Sequence, residues 1–350
     1  MENKSKRLLV IDANSIIHRA YHALPPLTTK KGELVNAVYG FLLVFLKAIK
    51  DFQPDFIAAC FDVKGPTFRH KKFKDYKAKR PPAPEELYQQ IPKVKEVLEA
   101  FNVPVFEKQG FEADDLIGTI SSLAPRKQVL PEIETIILSG DLDALQLVDS
   151  KTKVYALRKG VKDIVLYDEN LVKERFQGLV PEQILDFKAL RGDASDNIPG
   201  VTGIGVKTAI KLLLKFGSLE NIYKELEENS EKTKDLKPKL KEILLKYKEQ
   251  AFLSKFLAQI NKNVLSDFSL EKCRWRDYDK EKIVRLFKKF EFYSLLNRIS
   301  EGEEDKSSSS TELLQKAKGK KRAEPSLPPF AKAREINEKE KKIGENLKLW

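Results

Sequence analysis

Histidine, cysteine and long apolar runs are scarce in this sequence. Of 350 residues only three are histidine and two are cysteine. His18, His22 and His70 leave a metal centre to oxygen donors, a chemistry that favours Mg²⁺ or Mn²⁺ over zinc. Cys60 lies within the apolar run Phe56-Ile57-Ala58-Ala59-Cys60-Phe61, and both it and Cys273 read as buried free thiols. That excludes a disulfide framework and fits a reducing compartment. The N-terminal Met1-Glu2-Asn3-Lys4-Ser5-Lys6-Arg7 has no apolar signal-peptide core, and no later stretch is long enough to span a membrane. A cytoplasmic protein with no membrane partner is expected. No internal repeat is visible.

What the chain does have is charge and a core. Lys and Arg number 64 against 52 Asp and Glu, a formal net charge of +12, which raises the prior for a polyanionic partner. With 41% hydrophobic residues it can bury one large or two medium cores. Short apolar strands at Leu8–Ile11, Phe56–Phe61, Val103–Phe106 and Ile133–Leu138 alternate with helical periodicity over 36–51 and from about Pro84 to Phe101, which predicts βα units and a mostly parallel sheet. From Pro181 to Ile299 the pattern is nearly all helical. Beyond Glu301 a serine run, prolines and lysines predict a disordered tail. The expected division is an α/β core over 1–180, a helical region over 181–299 and a tail over 300–350.

One stretch concentrates the chemistry. Asp193 and Asp196 stand three apart, so in a helix they would share a face and point at one cation. Gly200, Gly203 and Gly205 let the backbone approach a ligand. Lys207-Thr208-Ala209-Ile210 then opens a helix whose free amides favour an anion. The same segment also reads as an ordinary helix-turn-helix corner. As a phosphate grip it would position duplex DNA without specifying sequence.

Acids recur where strands end: Asp12, Asp62, the Glu112/Asp114/Asp115 group, and Asp141 with Asp143. In an open parallel sheet these ends meet along one edge, the usual ligand position. Singly, each acid has a plain explanation as a cap or turn residue. Together, four acid-bearing strand ends would repel unless cations lay between them. With Asp193 and Asp196 they supply ligands for two ions about 3.5–4 Å apart, the arrangement that activates water and stabilises a developing phosphorane.

Phe68-Arg69-His70-Lys71-Lys72-Phe73-Lys74-Asp75-Tyr76-Lys77-Ala78-Lys79-Arg80 interleaves cations with aromatics. The pattern suits a surface that tracks a phosphate backbone and stacks bases, and equally a solvated basic loop.

Taken in order, Val10-Ile11-Asp12, Arg19-Ala20-Tyr21-His22-Ala23, Phe61-Asp62, Thr67-Phe68-Arg69-His70, Tyr76-Lys77-Ala78-Lys79-Arg80-Pro81, Glu112-Ala113-Asp114-Asp115, Gly140-Asp141-Leu142-Asp143 and the 192–201 segment resemble the 5′ nucleases, in particular the 5′→3′ exonuclease domain of bacterial DNA polymerase I. The resemblance runs from about Leu8 to Ile299. It implies a PIN-like, flap-endonuclease-like fold and structure-specific cleavage of 5′ flaps and 5′ ends in DNA, with removal of RNA primer remnants. Asp12, Asp62, Glu112 and Asp114 would surround one Mg²⁺; Asp141, Asp143, Asp193 and Asp196 would serve the second, with Asp115 close by and Mn²⁺ as a substitute. Residues 64–90 would form a helical arch with Arg69, Lys77 and Arg80 facing phosphates, beside Arg19 and His18. Residues 192–217 would be a helix-three-turn-helix with a K⁺ in some relatives. A monomer is expected.

Three departures stand out against that family. Ala13 replaces a usual glycine, a minor change. His18 stands where relatives carry a tyrosine that stacks on a base, so weaker precision of incision is expected. These residues hold no proofreading-like or polymerase region of the kind that a full polymerase of that family carries, and no polymerase activity is expected of them. Other readings are a related ribonuclease, an aspartyl phosphatase (disfavoured by Asn14 two residues after Asp12) and a non-catalytic paralogue that binds flaps without cutting them.

Overall fold

The strands assemble as a six-stranded sheet in the order β3-β2-β1-β4-β5-β6, where β1 is Lys6–Asp12, β2 Phe56–Phe61, β3 Val105–Glu107, β4 Ile133–Ser139, β5 Thr152–Leu157 and β6 Ile164–Tyr167. All neighbours are parallel except the β5–β6 pair, so the mostly parallel α/β sheet is as expected. The structure, a computed structural model, describes residues 5–124, 133–264, 267–275 and 278–300. The expected tail after Glu301 lies outside them. β2 is buried along its whole length, and β1 and β4 nearly so, as strands covered by helices on both faces must be. In register, Asp12 stands opposite Cys60, and Ile11 stands opposite Leu138. The acids at the strand ends are thereby brought to the carboxyl edge of the sheet.

Sequence periodicity missed β5 and β6. Both are short, and the turn between them is rich in charge (Arg158-Lys159-Gly160-Val161-Lys162-Asp163). It also missed the helix Ala13–Ala23, which begins directly at the end of β1 with Asp12 as its cap: the Asp12 carboxylate accepts the Ser15 N–H. This helix crosses Asn36–Phe52 closely, and a Cβ at Gly40 would lie 2.6 Å from the Ala20 Cβ. The expected single helix from Pro84 to Phe101 is two pieces, Glu85–Tyr88 and Ile91–Ala100. Between them Gln90, fully buried, accepts the backbone N–H of Ala37 through its side-chain oxygen and donates to Asn36, which ties this region to the second helix.

Helices Ile184–Arg191, Val206–Phe216, Leu219–Glu227, Pro238–Lys246 and Lys248–Ala258 follow. Their apolar faces join the sheet in one continuous core that includes Leu8, Val10, Phe187, Leu213 and Tyr223. The chain to Tyr293 is one unit, and a second unit from Ser294 carries the end of the helix Tyr293–Ser300.

Candidate active site

The sheet edge opens into a cleft of about 420 Å³ lined by Asp12, Asp62, Glu112, Asp114, Asp141 and Asp196, with His18, His22, Arg19, Lys77 and Arg80 among the other walls. Asp12 is held at the floor: its carboxylate accepts from the Ser139 hydroxyl at 2.6 Å and from Ser15 N at 3.2 Å. Burial, with Asp62 nearby, pushes the Asp12 carboxyl up to about 6 despite those bonds. Asp62 accepts the Ala113 N–H at 2.8 Å, and Asn14 in turn accepts the Asp62 N–H. Burial, with Glu112 adding to it, raises its carboxyl too. Asp114 is driven well above the carboxylate range by burial and by the charges of Asp12, Asp141 and Asp143. Among the described residues no ion pair neutralises Asp12, Asp62, Asp114 or Asp141.

The remaining acids are paired with cations of the chain itself. Asp115 is fully buried and gripped by both arms of the Arg69 guanidinium at 2.8 and 2.7 Å. It also accepts the backbone N–H of Glu112 and of Asn261. Its bonds are all directed inward, so Asp115, expected as a metal ligand, instead caps its helix and anchors Arg69 in this structure, away from the acids that open on the cleft. Arg69, expected to face phosphates, is turned to the same interior. It is 2% exposed and also donates to the carbonyls of Leu257 and Gln259.

Lys77 and Arg80, by contrast, do reach the cleft. Lys77 lies 3.0 Å from Glu112, and Arg80 pairs with Asp196. Tyr76, 3% exposed, directs its hydroxyl at both Glu112 (3.1 Å) and Asp196 (3.2 Å). Burial beside those two carboxylates keeps the phenol protonated. The helical content expected over 64–90 is limited to the short helices Phe68–Lys72 and Glu85–Tyr88, with turns between them that fold over the cleft. Arg19 lines the cleft while donating to the Gly140 and Arg158 carbonyls.

A third set surrounds Lys188, whose ammonium is buried between Asp143 and Asp193, 2.8 Å from the latter. Burial and Asp141 push Asp143 up to about 7 against the pull of Lys188. Burial would raise Asp193 as well, but Lys188 and the Ser195 hydroxyl override it and hold the carboxyl well below its usual range. Asp193 and Asp196 do not share a helix face as expected. They sit in a turn closed by paired backbone bonds between Asp193 and Ile198, because Gly192 adopts φ +79° and ends the preceding helix. Lys188 was not anticipated. Its signal is a lysine inside the otherwise apolar stretch Phe187-Lys188-Ala189-Leu190. Tyr76, Ser15, Ser139 and Asn14 were also missed, and as single polar residues they carried no pattern.

Within the 192–217 segment expected to be a helix-three-turn-helix, the turn leads through Gly200, Gly203 and Gly205 into one helix, Val206–Phe216. Gly200, at φ +61°, packs so tightly that a Cβ would stand 2.2 Å from Gly192 N. Its N–H donates to Ser254 and its carbonyl accepts from Gln250. Gly205 begins the helix Val206–Phe216 with open space around it. That helix buries Ala209, Ile210, Leu212, Leu213 and Phe216 and leaves Lys207 exposed, with Thr208 and Gly203 near the same turn.

Among the described residues no three His, Cys, Asp or Glu side chains stand close enough to hold an ion as they are. The donor chemistry nonetheless fits a divalent cation. Among the described residues four oxygen-donor acids have no cation partner, and burial, with neighbouring carboxylates, raises three of them, Asp12, Asp62 and Asp114.

Fold and site together define an α/β domain with a carboxylate-lined cleft at its sheet edge, followed by a helical region. The chain belongs to the 5′-3′ exonuclease family: residues 7–177 match the model of its N-terminal resolvase-like domain and residues 179–281 that of its C-terminal SAM fold. It is 42% identical over 296 residues to DNA polymerase I of Bacillus subtilis, an alignment covering 85% of this chain and 32% of that protein. DNA polymerase I of Bacillus caldotenax is 41% identical over 294 residues, with 84% and 32% covered. The chain thus spans about a third of the length of these relatives. T5 5′-exonuclease with bound divalent metal ions (zinc) superposes with a TM-score of 0.60 at 21% identity, covering 73% of this chain and 90% of that one. The catalytic core of Rad2 in complex with DNA substrate gives 0.52 at 18%, covering 83% and 89%. At those identities the likeness is one of fold. No described helix is long and apolar enough to cross a membrane.

Proposed function

We propose that this chain hydrolyses DNA phosphodiesters at 5′ ends and 5′ flaps, acting at the junction of single strand and duplex with Mg²⁺, or Mn²⁺ in its place. The observation that carries this reading is the set of acids Asp12, Asp62, Asp114 and Asp141 that open on one cleft with no cation partner among the described residues, since backbone cleavage needs a cation site. Those four would hold the ions, with Glu112, Asp143, Asp193 and Asp196 able to join when their lysine and arginine partners move aside. Bound there, divalent cations lower the pKa of water and offset charge on the reacting phosphate.

The chain's own residues do the rest. Ser139 and Ser15 fix Asp12, Asn14 fixes the backbone at Asp62, and Lys77 and Arg80 carry positive charge to the cleft wall where a scissile phosphate would lie. Arg19 and His18 border the entering strand. The turn at Gly203 and Gly205, with Lys207 and Thr208, would hold the duplex, with K⁺ as its cation. RNA primer–DNA is a further substrate of this reading, and the protein would act as a monomer in replication and repair.

The test is a 5′-labelled flap incubated with Mg²⁺, with EDTA, and with the Asp141→Ala variant. Cleavage near the junction that needs both the metal and the acid supports the reading. Tight binding without cleavage under Mg²⁺ and Mn²⁺ would point to a non-catalytic flap-binding protein instead.

A further inference from the structure

Two of the three histidines occupy one wall of the cleft, an arrangement that oxygen-donor chemistry does not account for. His18 and His22 are four residues apart on the helix Ala13–Ala23, so they share a face, and both line the cleft. Their ring centroids are 6.5 Å apart, with the ring planes inclined by 36°. Among the described residues no hydrogen bond engages either ring, whereas the Nδ1 of His70 is tied to Thr67.

We propose that His18 and His22 form a binding site for one late first-row divalent cation, Zn²⁺ or Ni²⁺ in chemistry, at the mouth of the carboxylate cleft. Imidazole pairs four apart on a helix chelate such ions, which prefer nitrogen donors, while the acids deeper in the cleft prefer Mg²⁺. With metal–nitrogen bonds of about 2.0–2.1 Å and tetrahedral geometry, the two ring centroids would stand roughly 5 Å apart. The present separation therefore closes by a side-chain movement of about 1 Å, which the exposed His22 can make. Burial, with the neighbouring His22, lowers the basicity of His18, so its lone pair is available at neutral pH. Water completes the shell. An ion held there stands where an entering strand would pass, so it obstructs the cleft without replacing the oxygen-bound metals. The binding site stands on the geometry of the helix, and only its effect on an entering strand rests on the nuclease reading.

The test uses the full chain without a histidine tag, saturated with Mg²⁺ so that the acids are occupied, and titrated with Ni²⁺ by calorimetry. One bound equivalent is expected, weakened at least about tenfold in His18→Phe and in His22→Gln and unchanged in His70→Gln. A Cu²⁺ spin spectrum showing two nitrogen ligands in the parent and one in either variant is the second readout. Circular dichroism checks folding, and should His18→Phe not fold, the exposed His22→Gln carries the test. Ni²⁺ binding equal to the parent in the folded His22→Gln variant would overturn the proposal and assign the ion to the carboxylates.

Discussion

Replacing Arg69 with alanine separates two roles for this residue, because a phosphate contact and a buried anchor fail in opposite ways. Arg69 is 2% exposed and bonds Asp115 twice, plus two backbone carbonyls. Its removal leaves a fully buried carboxylate without its cation, a loss of about 3–5 kcal/mol in comparable pairs. The N–H groups of Glu112 and Asn261 still reach Asp115, which places the expected loss at the lower end of that range. For a chain of this size the melting temperature should fall by about 4–5 °C. Thermal unfolding followed by circular dichroism measures it. Arg69→Met combined with Asp115→Leu should recover much of the loss, since no charge is then left unpaired. An Arg69→Ala variant with unchanged melting temperature, whose DNA binding has lost about one unit of salt slope, would refute the reasoning and restore the phosphate contact.

Asp141→Ala should lower metal-dependent cleavage at least about 100-fold, with an unchanged or raised melting temperature, because Asp141 repels Asp114 and Asp143; a folded variant with full activity would sink its assignment. Asp12 and Asp143 are pushed up to about 6 and about 7 in the fold, so between about pH 4 and pH 7 the folded chain keeps protons that the unfolded chain has released. Stability of the metal-free protein should accordingly fall as pH rises through that window, and Mg²⁺ should restore more of it at pH 8 than at pH 5; a metal-free melting temperature that climbs from pH 5 to pH 8 contradicts this. Gly200→Ala should destabilise the helix-turn-helix strongly through backbone overlap, whereas Gly205→Ala, in open space, should leave the melting temperature within about 1 °C, and equal effects of the two would be inconsistent with the turn described.

The sequence made the sheet and the strand-end acids legible because both depend on local pattern. β1, β2 and β4 are unbroken apolar runs, and each hands an acid to the same edge. β5 and β6 were not legible because both are short and the turn between them is rich in charge. The site was legible in composition but not in partnership. Asp115 and Asp114 are adjacent and identical in type, yet one faces inward to Arg69 and the other outward to the cleft, a difference set by helix phase and by Asn261, 146 residues away. The same holds for Arg69, Lys77 and Arg80. Alternating cations along one basic stretch look equivalent until the tertiary fold buries the first and leaves the other two against acids. Lys188 shows the converse: a lysine on a buried helix face signals a paired charge, but nothing local identifies Asp143 as its partner, 45 residues distant.

The cations that touch the cleft also set up a competition that can be measured. Lys77 neutralises Glu112 at 3.0 Å with a side chain only 21% exposed, so it holds part of the charge that an incoming divalent ion would need. At that distance an opposite unit charge is worth about 4 kcal/mol or more at an effective dielectric of 20, most of it offset by desolvation of the ammonium. Lys77→Met removes the competitor while keeping the apolar stem against Tyr76. Metal affinity should therefore rise, by about tenfold at most, read by calorimetry with Mg²⁺ or Mn²⁺ in the absence of DNA. Cleavage of a 5′ flap should move the other way, because the positive charge beside the scissile phosphate is gone. If metal affinity fell together with cleavage, Lys77 would be acting by holding Glu112 in place for the ion, and the competition between lysine and metal would have to be abandoned.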